Sequence, residues 1–478
     1  MIIRPADGRA GRPHRGRPDI KRGLRTRGAP TLTRLLALRV LERVQRAGAY
    51  ADVLLHAQLS RSELSAPDRA FATELVYGTL RWRGRIDYCL ARVLDRDLDK
   101  LEPLVATALR LGAYQLLFSE RVPVTAAVDE SVRCVRAAGV ERATGLVNAV
   151  LRRLAAEHGA LAIPSLADDP LAHLTHALSI PEWIAARWLA LFGPEEAAAL
   201  ARASNEPPPL TVRANVQRTS PAALLEELRE RFPEARPCRI ARDGLVLGRS
   251  GNPAIDPAFL TGRFTVQDEA SQLVVELLDP QPGERVLDAC AAPGAKATAI
   301  AERVGDAGLV VALDRNAGRL GLVAHDAGRL GLANLRTLAA DASAAVTFEL
   351  DDAPFDRVLV DAPCSGLGAL RRNPDARWRV QPDAIAQLAA VQRSILAASA
   401  KRLRPGGTLV YSTCTLSPEE NDDVVKWLLA SAPELRRAPD SDVPASLRAL
   451  VGEGATLRCW PQHHDTDGFF AARLERRS

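Results

Sequence analysis

The spacing of apolar residues is helical along the first third of the chain. Apolar side chains recur at i, i+3, i+4 and i+7, which places them on one face of a helix. Two instances are Ala37, Val40, Leu41 and Val44, and then Leu101, Leu104, Val105 and Ala108. Strand patterns are scarce up to about residue 158, and Gly48, Gly112 and Gly139 stand where helices are expected to end. The pattern predicts an independent all-α domain over residues 31–170.

A proline-rich segment separates this domain from a region of mixed character. Residues 171–204 keep helical spacing, with Pro181 expected to open a helix, and three consecutive prolines follow at 207–209. Short apolar runs at 210–213 and 244–247 then flank a helical pattern at 221–231. Residues 171–262 are predicted to form linker helices and a small α+β module.

From residue 263 to residue 478, short buried strands alternate with helices. The expected strands lie at residues 285–288, 309–314, 355–361 and 408–412. Strands that alternate with helices are typical of a parallel, doubly wound α/β sheet. Ligands of such sheets bind at the carboxyl ends of the strands. The residues that follow these strands are therefore the candidate site residues.

Length and composition narrow the class of protein. A chain of 478 residues fits about three domains. It has no uncharged apolar run of about 18 residues and no signal-peptide pattern, so a cytoplasmic protein that does not enter a membrane is expected. Its seven cysteines include no C-x-x-C pair. This spacing argues against a disulfide framework and against a zinc site, and no metal is expected.

Positive charge is concentrated at the N-terminus, although the net charge of the chain is only +5. Nine Lys and Arg residues fall between Arg4 and Arg27, interleaved with Gly and Pro and diluted by Asp7 and Asp19. Residues 1–30 are therefore predicted to be a disordered basic tail. Two roles for it stay open, namely solubility and loose contact with RNA phosphates.

The first strand end carries a turn of small residues, which allows the backbone to approach a ligand closely. Asp314 ends the second strand, about 20 residues after Gly294. A carboxylate at this position can bind both hydroxyls of a ribose. The chain has no G-x-G-x-x-G phosphate cradle, which counts against NAD or FAD, whereas S-adenosylmethionine has no phosphate. Asp341, which follows the apolar residues 338–340, is either a ligand of the adenine amino group or the N-cap of a helix. The candidate cofactor residues are Asp288, Cys290, Ala291, Ala292, Pro293, Gly294, Ala295, Lys296, Asp314, Arg315, Asp341 and Asp361.

Two later strand ends each deliver a cysteine to the same edge of the sheet. Residues 361–366 read Asp-Ala-Pro-Cys-Ser-Gly, and residues 412–415 read Ser-Thr-Cys-Thr. A single cysteine is ordinarily an inert buried thiol. Because Cys364 and Cys414 are expected to converge with Asp361, we interpret both as catalytic.

These runs, together with residues 404–407 (Arg-Pro-Gly-Gly) and 419–421 (Glu-Glu-Asn), closely resemble the RNA cytosine-C5 methyltransferases. The helical region resembles the NusB-type RNA-binding domain. The resemblance covers nearly the whole chain after the tail. It implies that a Rossmann-like domain at residues 263–478 uses S-adenosylmethionine to methylate a cytosine of small-subunit (16S) ribosomal RNA. It also implies that residues 171–262 help to recognise the RNA, and a monomer is expected.

The resemblance further implies a role for each catalytic residue. Cys414 is the nucleophile that adds to C6 of cytosine, because C5 alone is too weak a nucleophile. Asp361 binds the N3/N4 edge of the base, and Lys296 helps to position the base and Asp361. Cys364 assists release by helping to remove the C5 proton.

Three points stay open. DNA cytosine methyltransferases use the cysteine of their Pro-Cys motif as nucleophile, which would exchange the roles of Cys364 and Cys414. The alternative functions are an RNA amino-group methyltransferase and a non-catalytic RNA-binding or antitermination factor. The family usually has a second glycine where this chain has Ala295, which would weaken cofactor binding if that position needed positive φ. Asp268, in a family motif at residues 267–271, is also expected to cap a helix.

Overall fold

The N-terminal part of the structure, a computed structural model that describes residues 30–248, 251–344, 353–452 and 454–478, is a helical bundle. Helix α5 is its centre: every residue from Val105 to Gln115 is buried, and α1, α3, α4, α6 and α7 pack around it. The predicted basic tail lies, except for Pro30, outside the described residues. The helices are α1 (Leu32–Ala47), α2 (Ala51–Ser60), α3 (Ala66–Arg81), α4 (Arg83–Val93), α5 (Pro103–Phe118), α6 (Val124–Ala137) and α7 (Thr144–Glu157).

The glycines of the bundle differ in what they do. Gly48 caps α1 with φ 58°, and Gly139 follows α6 with φ 88°, as expected of residues at helix ends. The expectation for Gly112 is wrong, because this residue lies inside α5. A Cβ there would come within 2.5 Å of Leu151 Cδ1 and 2.8 Å of Ser131 Oγ. Close packing of α5 against α6 and α7 is therefore what requires glycine at this position.

Short helices connect the bundle to a small antiparallel sheet with the order β2-β3-β1-β4. Strand β4 pairs with β1, so residues 264–266 complete this small sheet and do not begin the parallel one. Phe264 is fully buried in the apolar core of the small module, which explains why β4 joins it. The elements are α8 (Pro170–Ala172), α9 (Glu182–Phe192), α10 (Pro194–Asn205), β1 (Thr211–Ala214), α11 (Pro221–Arg229), β2 (Arg236–Pro237), β3 (Gly244–Val246), α12 (Pro257–Leu260) and β4 (Phe264–Val266).

A larger mixed sheet forms the C-terminal part, with the order β11-β12-β13-β9-β8-β5-β6-β7 and with β10 paired to β13. The strands β7, β6, β5, β8 and β9 are parallel, as predicted, whereas β9 pairs with β13 in antiparallel fashion. The strands are β5 (Arg285–Asp288), β6 (Leu309–Asp314), β7 (Leu335–Ala339), β8 (Phe355–Asp361), β9 (Leu403–Thr413), β10 (Leu435–Arg437), β11 (Val451–Gly452), β12 (Thr456–Cys459) and β13 (Phe469–Arg476).

Helices cover both faces of this sheet. Successive strand residues point to opposite faces, so Val286 joins one apolar core and Leu287 the other. Helices α13, α14 and α15 pack on the first face, and α17 and α18 pack on the second. None of the helices in the described ranges is long and apolar enough to cross a membrane. The helices are α13 (Glu269–Leu278), α14 (Ala295–Val304), α15 (Ala317–Leu330), α16 (Ala376–Arg379), α17 (Ala384–Ala400), α18 (Asp422–Ser431) and α19 (Pro461–His464).

Candidate active site

The predicted site residues converge because four neighbouring parallel strands end at one edge of the sheet. The strands β9, β8, β5 and β6 are adjacent in that order. Asp361 and Asp288 are the last residues of β8 and β5, Asp314 is the last residue of β6, and Cys414 follows β9 directly. The chain reverses its direction of winding between β5 and β8, which is where doubly wound sheets bind ligands.

The two cysteines face each other across the gap between β8 and β9. Cys364 Sγ lies 3.3 Å from Cys414 Sγ, and both side chains are partly exposed free thiols. The hydrogen bond with Cys414, and then burial, raise the pKa of Cys364 well above its ordinary value. The raised pKa favours the neutral thiol at Cys364, and either sulfur can be the donor of the hydrogen bond between them.

An ion pair lies beside the thiols. Lys296 Nζ donates to Asp361 Oδ2 at 2.7 Å, and Ser412 Oγ donates to Asp361 Oδ1 at 2.8 Å. Burial alone would lower the pKa of Lys296, but the charge and hydrogen bond of Asp361 outweigh it and the pKa is raised. The Lys296 ammonium also lies 5.0 Å from the ring centre of Phe469. Lys296 is thus a fixed, buried cation, while 28% of the Asp361 side chain stays exposed to the cleft.

Asp288 is a buried acid at the end of β5. It is 1% exposed, and neither carboxylate oxygen accepts a close, well-aligned hydrogen bond among the described residues. Burial first, and then the charge of Asp361, raise the pKa of Asp288 to about 7, against the opposing effects of Lys296 and the nearby backbone N–H of Cys290. A buried carboxyl whose nearest donor, the backbone N–H of Cys290, makes no close hydrogen bond is suited to a cationic or hydrogen-donating ligand.

The turn after β5 needs glycine at one position only. Gly294 has φ 116°, and a Cβ there would lie 3.1 Å from Val323 Cα. Ala295 is the first residue of α14 and does not have positive φ. The backbone therefore accepts alanine at 295, and the reason for expecting weakened cofactor binding does not apply. Ala291 and Ala292 are buried in this turn, whereas Pro293 is exposed.

Asp314 is hydrogen-bonded to the turn that follows β5 and to the turn that follows β6. Its Oδ2 accepts a hydrogen bond from the backbone N–H of Ala292 at 3.3 Å, and its Oδ1 accepts one from Asn316 at 2.8 Å. Arg319, which the sequence did not single out, donates to the carbonyl oxygen of Ala292 at 2.5 Å. Two backbone N–H groups thus fix the orientation of the Asp314 carboxylate without a ligand.

The remaining candidate cofactor residues are Cys290, Arg315 and Asp341. Burial raises the pKa of Cys290, so its thiol is neutral. Arg315 is exposed. Asp341 is also exposed and accepts hydrogen bonds from the backbone N–H and the hydroxyl of Ser343, at 2.9 and 2.7 Å. These bonds close a turn at residues 341–344, and no helix begins within that described range, so the helix N-cap expected as the alternative is not formed.

A loop after Cys364, residues 366–380, joins the thiols to the rest of the molecule. Gly368 N–H donates to the carbonyl oxygen of Cys414 at 2.9 Å, and a Cβ on Gly368 would lie 2.1 Å from Gly468 O. Farther along the loop, Arg372 donates to Asp268 Oδ2 at 2.6 Å. Asp268 also accepts from Ala270 N–H as the N-cap of α13, so the expected cap is confirmed.

The same loop then reaches the helical bundle. Trp378 Nε1 donates to the carbonyl oxygen of Leu80 at the end of α3, at 2.6 Å. The fully buried Arg377 donates to Ser179 O at 3.1 Å and to Asn205 Oδ1 at 2.8 Å. Residues 366–380 are therefore hydrogen-bonded beside Cys414 near one end and to the helical domain near the other.

Comparisons with known proteins agree with this architecture. Family models match for the 16S rRNA methyltransferase RsmB/F over residues 275–475, for the NusB family over residues 31–156, and for the ferredoxin-like domain of RsmF/B-like methyltransferases over residues 180–252. The predicted succession of a NusB-like all-α domain, a small α+β module and a Rossmann-like methyltransferase domain is confirmed.

Several relatives are similar over almost their entire length. The probable ribosomal RNA small subunit methyltransferase B of Bacillus subtilis is 37% identical over 454 residues, which cover 94% of this chain and 99% of that protein. The ribosomal RNA small subunit methyltransferase B of Pseudomonas putida is 37% identical over 92% of this chain and 98% of its own. The solved structure of PH0851 superposes with a TM-score of 0.77 at 26% identity, covering 92% and 99% of the two chains.

Proposed function

Because the chain belongs to the RsmB/F family of 16S rRNA methyltransferases, we propose that it methylates C5 of a cytosine in that RNA through a covalent bond to Cys414. The observation that carries the proposal is the pair of thiols 3.3 Å apart beside the ion pair of Lys296 and Asp361. A methyl transfer to an exocyclic nitrogen needs no thiol, whereas C5 becomes nucleophilic only after a nucleophile has added to C6.

In the first step the Cys414 thiolate forms a bond to C6, and the electrons of the C5–C6 double bond move toward C5 and N3. The contact between the two sulfurs supports this step, because a neutral Cys364 thiol at 3.3 Å can donate a hydrogen bond to the Cys414 thiolate once it forms. Asp361 accepts a hydrogen bond from the exocyclic N4 of the base. The Lys296 ammonium behind Asp361 offsets the negative charge that builds on N3.

The residues of the first two strand ends fit S-adenosylmethionine, which when bound supplies an electrophilic methyl group. The orphaned carboxyl of Asp288 fits the cationic amino group of its methionine part. Asp314, held in place by two backbone N–H groups, has lone pairs left for the ribose hydroxyls. The small residues around Gly294 let the backbone lie against the cofactor.

Release of the methylated RNA breaks the bond between Cys414 and C6. The C5 proton leaves, its electron pair restores the C5–C6 double bond, and the S–C6 bond breaks to give back the Cys414 thiolate. In the adduct, Cys414 is a thioether and a poor hydrogen-bond acceptor, so the largest cause of the raised pKa of Cys364 is weakened. Cys364 can then lose its proton to solvent, accept the C5 proton, and donate again to the departing sulfur.

Transfer of labelled methyl groups from S-adenosylmethionine to small-subunit rRNA tests the proposal. The RNA is digested to nucleosides after the reaction, and the labelled product is identified by chromatography and mass spectrometry. We expect 5-methylcytidine from the native protein and none from Cys414→Ala. Labelled N4-methylcytidine would favour the amino-group methyltransferase, and absence of transfer to any rRNA preparation would favour a non-catalytic factor.

A further inference from the structure

A buried carboxylate lies behind the two cysteine loops. The Glu420 side chain belongs to a short 3-10 turn, Pro418–Glu420, and is 0% exposed. Its Oε1 accepts hydrogen bonds from the backbone N–H of Ser365 at 2.8 Å and from Gln392 Nε2 at 3.0 Å. Its Oε2 accepts one from the hydroxyl of Ser365 at 2.6 Å. Both oxygens of the Glu420 carboxylate therefore accept hydrogen bonds from Ser365. Because Glu420 is buried, it does not contact a substrate.

Ser365 also contacts the loop that carries Cys414. Its hydroxyl lies 2.7 Å from Thr415 Oγ1. A hydroxyl has one hydrogen, and the charged carboxylate of Glu420 is the stronger acceptor. Thr415 is therefore the donor to Ser365. Ser365 directly follows Cys364, and Thr415 directly follows Cys414, so one chain of hydrogen bonds connects the neighbours of both thiols.

Asn421, the next residue after Glu420, holds Cys414 from both sides. Asn421 Nδ2 donates to the carbonyl oxygen of Thr415 at 3.0 Å, and Thr413 Oγ1 donates to Asn421 Oδ1 at 2.5 Å. Thr413 and Thr415 are the residues before and after Cys414. The backbone around the nucleophile is thus fixed by the same turn that carries Glu420.

We propose that Glu420 is a positioning residue that sets the separation of Cys364 and Cys414 through Ser365 and Thr415. A carboxylate suits this role because it only accepts hydrogen bonds, and both groups of Ser365 that face it are donors. A glutamine would turn an NH₂ group toward one of those donors and break one bond. The importance of the separation for catalysis rests on the proposed function, but its effect on the reactivity of the two thiols can be measured without it.

The test measures how fast each thiol is alkylated by iodoacetamide as a function of pH, with the modified cysteine identified by mass spectrometry. In the native protein Cys364 should react only at a pH well above the ordinary pKa of a cysteine, because the hydrogen bond with Cys414 and burial raise its pKa. Ser365→Ala removes the hydroxyl bridge but keeps the charge of Glu420. We expect the Cys364 profile to move down by about one pH unit or more in Ser365→Ala and in Glu420→Gln.

Glu419→Gln is the matched control. Glu419 adjoins Glu420 in the same turn, but its side chain is 42% exposed and pairs with Arg187 at 2.7 Å. The alkylation profile of Cys364 in Glu419→Gln should equal that in the native protein. In methyl transfer, Ser365→Ala should lower kcat about 10- to 100-fold with little change in KM for RNA, since displacement of reacting groups by an ångström has effects of that size.

The outcomes separate the two proposals. A shifted Cys364 profile in Glu420→Gln alone, with Ser365→Ala unchanged, would mean that only the charge of Glu420 matters and would overturn positioning. Unchanged profiles in both folded variants would overturn it as well. Should Glu420→Gln fail to fold, Ser365→Ala decides alone. Failure of the proposed function would instead appear as a native protein that forms no 5-methylcytidine, whatever the alkylation profiles are.

Discussion

If Asp288 pairs with the cofactor as proposed, cofactor binding should depend on pH. Its carboxyl has an ordinary pKa of 3.8 and a pKa of about 7 in the folded protein. If the ionised form is needed to pair with the amino group of S-adenosylmethionine, affinity follows the ionised fraction of Asp288. That fraction is roughly 3% at pH 5.5 and about half at pH 7. The dissociation constant should therefore fall about 15-fold between these values, a range in which the cofactor ammonium stays protonated.

Isothermal titration calorimetry at pH 5.5, 6, 6.5 and 7 measures this dependence. Asp288→Asn should bind more weakly at pH 7 and should lose the slope. Asp467 provides a control, because burial and then Asp268 raise its pKa to about 7 as well, outside the cofactor turn. Asp467→Asn should keep the native slope. A native dissociation constant equal at pH 5.5 and 7, or an unchanged slope in Asp288→Asn, would refute the pairing of Asp288 with the cofactor.

The same pKa has a consequence for stability. The folded state holds the Asp288 proton more tightly than the unfolded state, so the stability that this group contributes is present below about pH 4 and is lost as pH rises toward 7. Asp288→Asn should therefore raise Tm relative to the native protein at pH 8 more than at pH 5, as differential scanning calorimetry would detect. Weaker cofactor binding in a more stable protein would identify Asp288 as a functional residue that costs stability.

Four further predictions concern other residues of the site. Cys364→Ala should accumulate a covalent protein–RNA band on denaturing gels, because attack proceeds and release is slow, whereas Cys414→Ala and the double variant should give none; an adduct with Cys414→Ala alone would show that the roles are reversed. Asp314→Ala should weaken S-adenosylmethionine binding by about 1.5–3 kcal/mol per lost charged hydrogen bond, and an unchanged dissociation constant in the folded variant would contradict the ribose assignment. Gly294→Ala should lower stability by about 1–3 kcal/mol in urea unfolding, because alanine is strained at φ 116°. Ala295→Gly should leave the cofactor dissociation constant within about twofold, since that position is helical.

The sequence by itself determined the parallel strands and the acids at their ends. The predicted strands at residues 285–288, 309–314 and 355–361 coincide with β5, β6 and β8. Local patterns suffice here because a buried parallel strand is a short apolar run flanked by helices. Strand β9 was predicted from residue 408, but it begins at Leu403, since an irregularity in its pairing with β8 separates residues 403 and 408.

Only the tertiary structure decided which distant residues meet. The antiparallel strand β13 pairs with β9 and brings Phe469 against Lys296, and no local pattern gives that pairing, because the apolar alternation of a strand does not name its partner. The bond from Ser365 to Glu420 spans 55 residues of sequence. Gly112 looks like a helix end in the sequence, yet the approach of Leu151 is what requires it. Local hydrophobic periodicity determines the elements, whereas the contacts that position the thiols depend on packing between elements far apart in the chain.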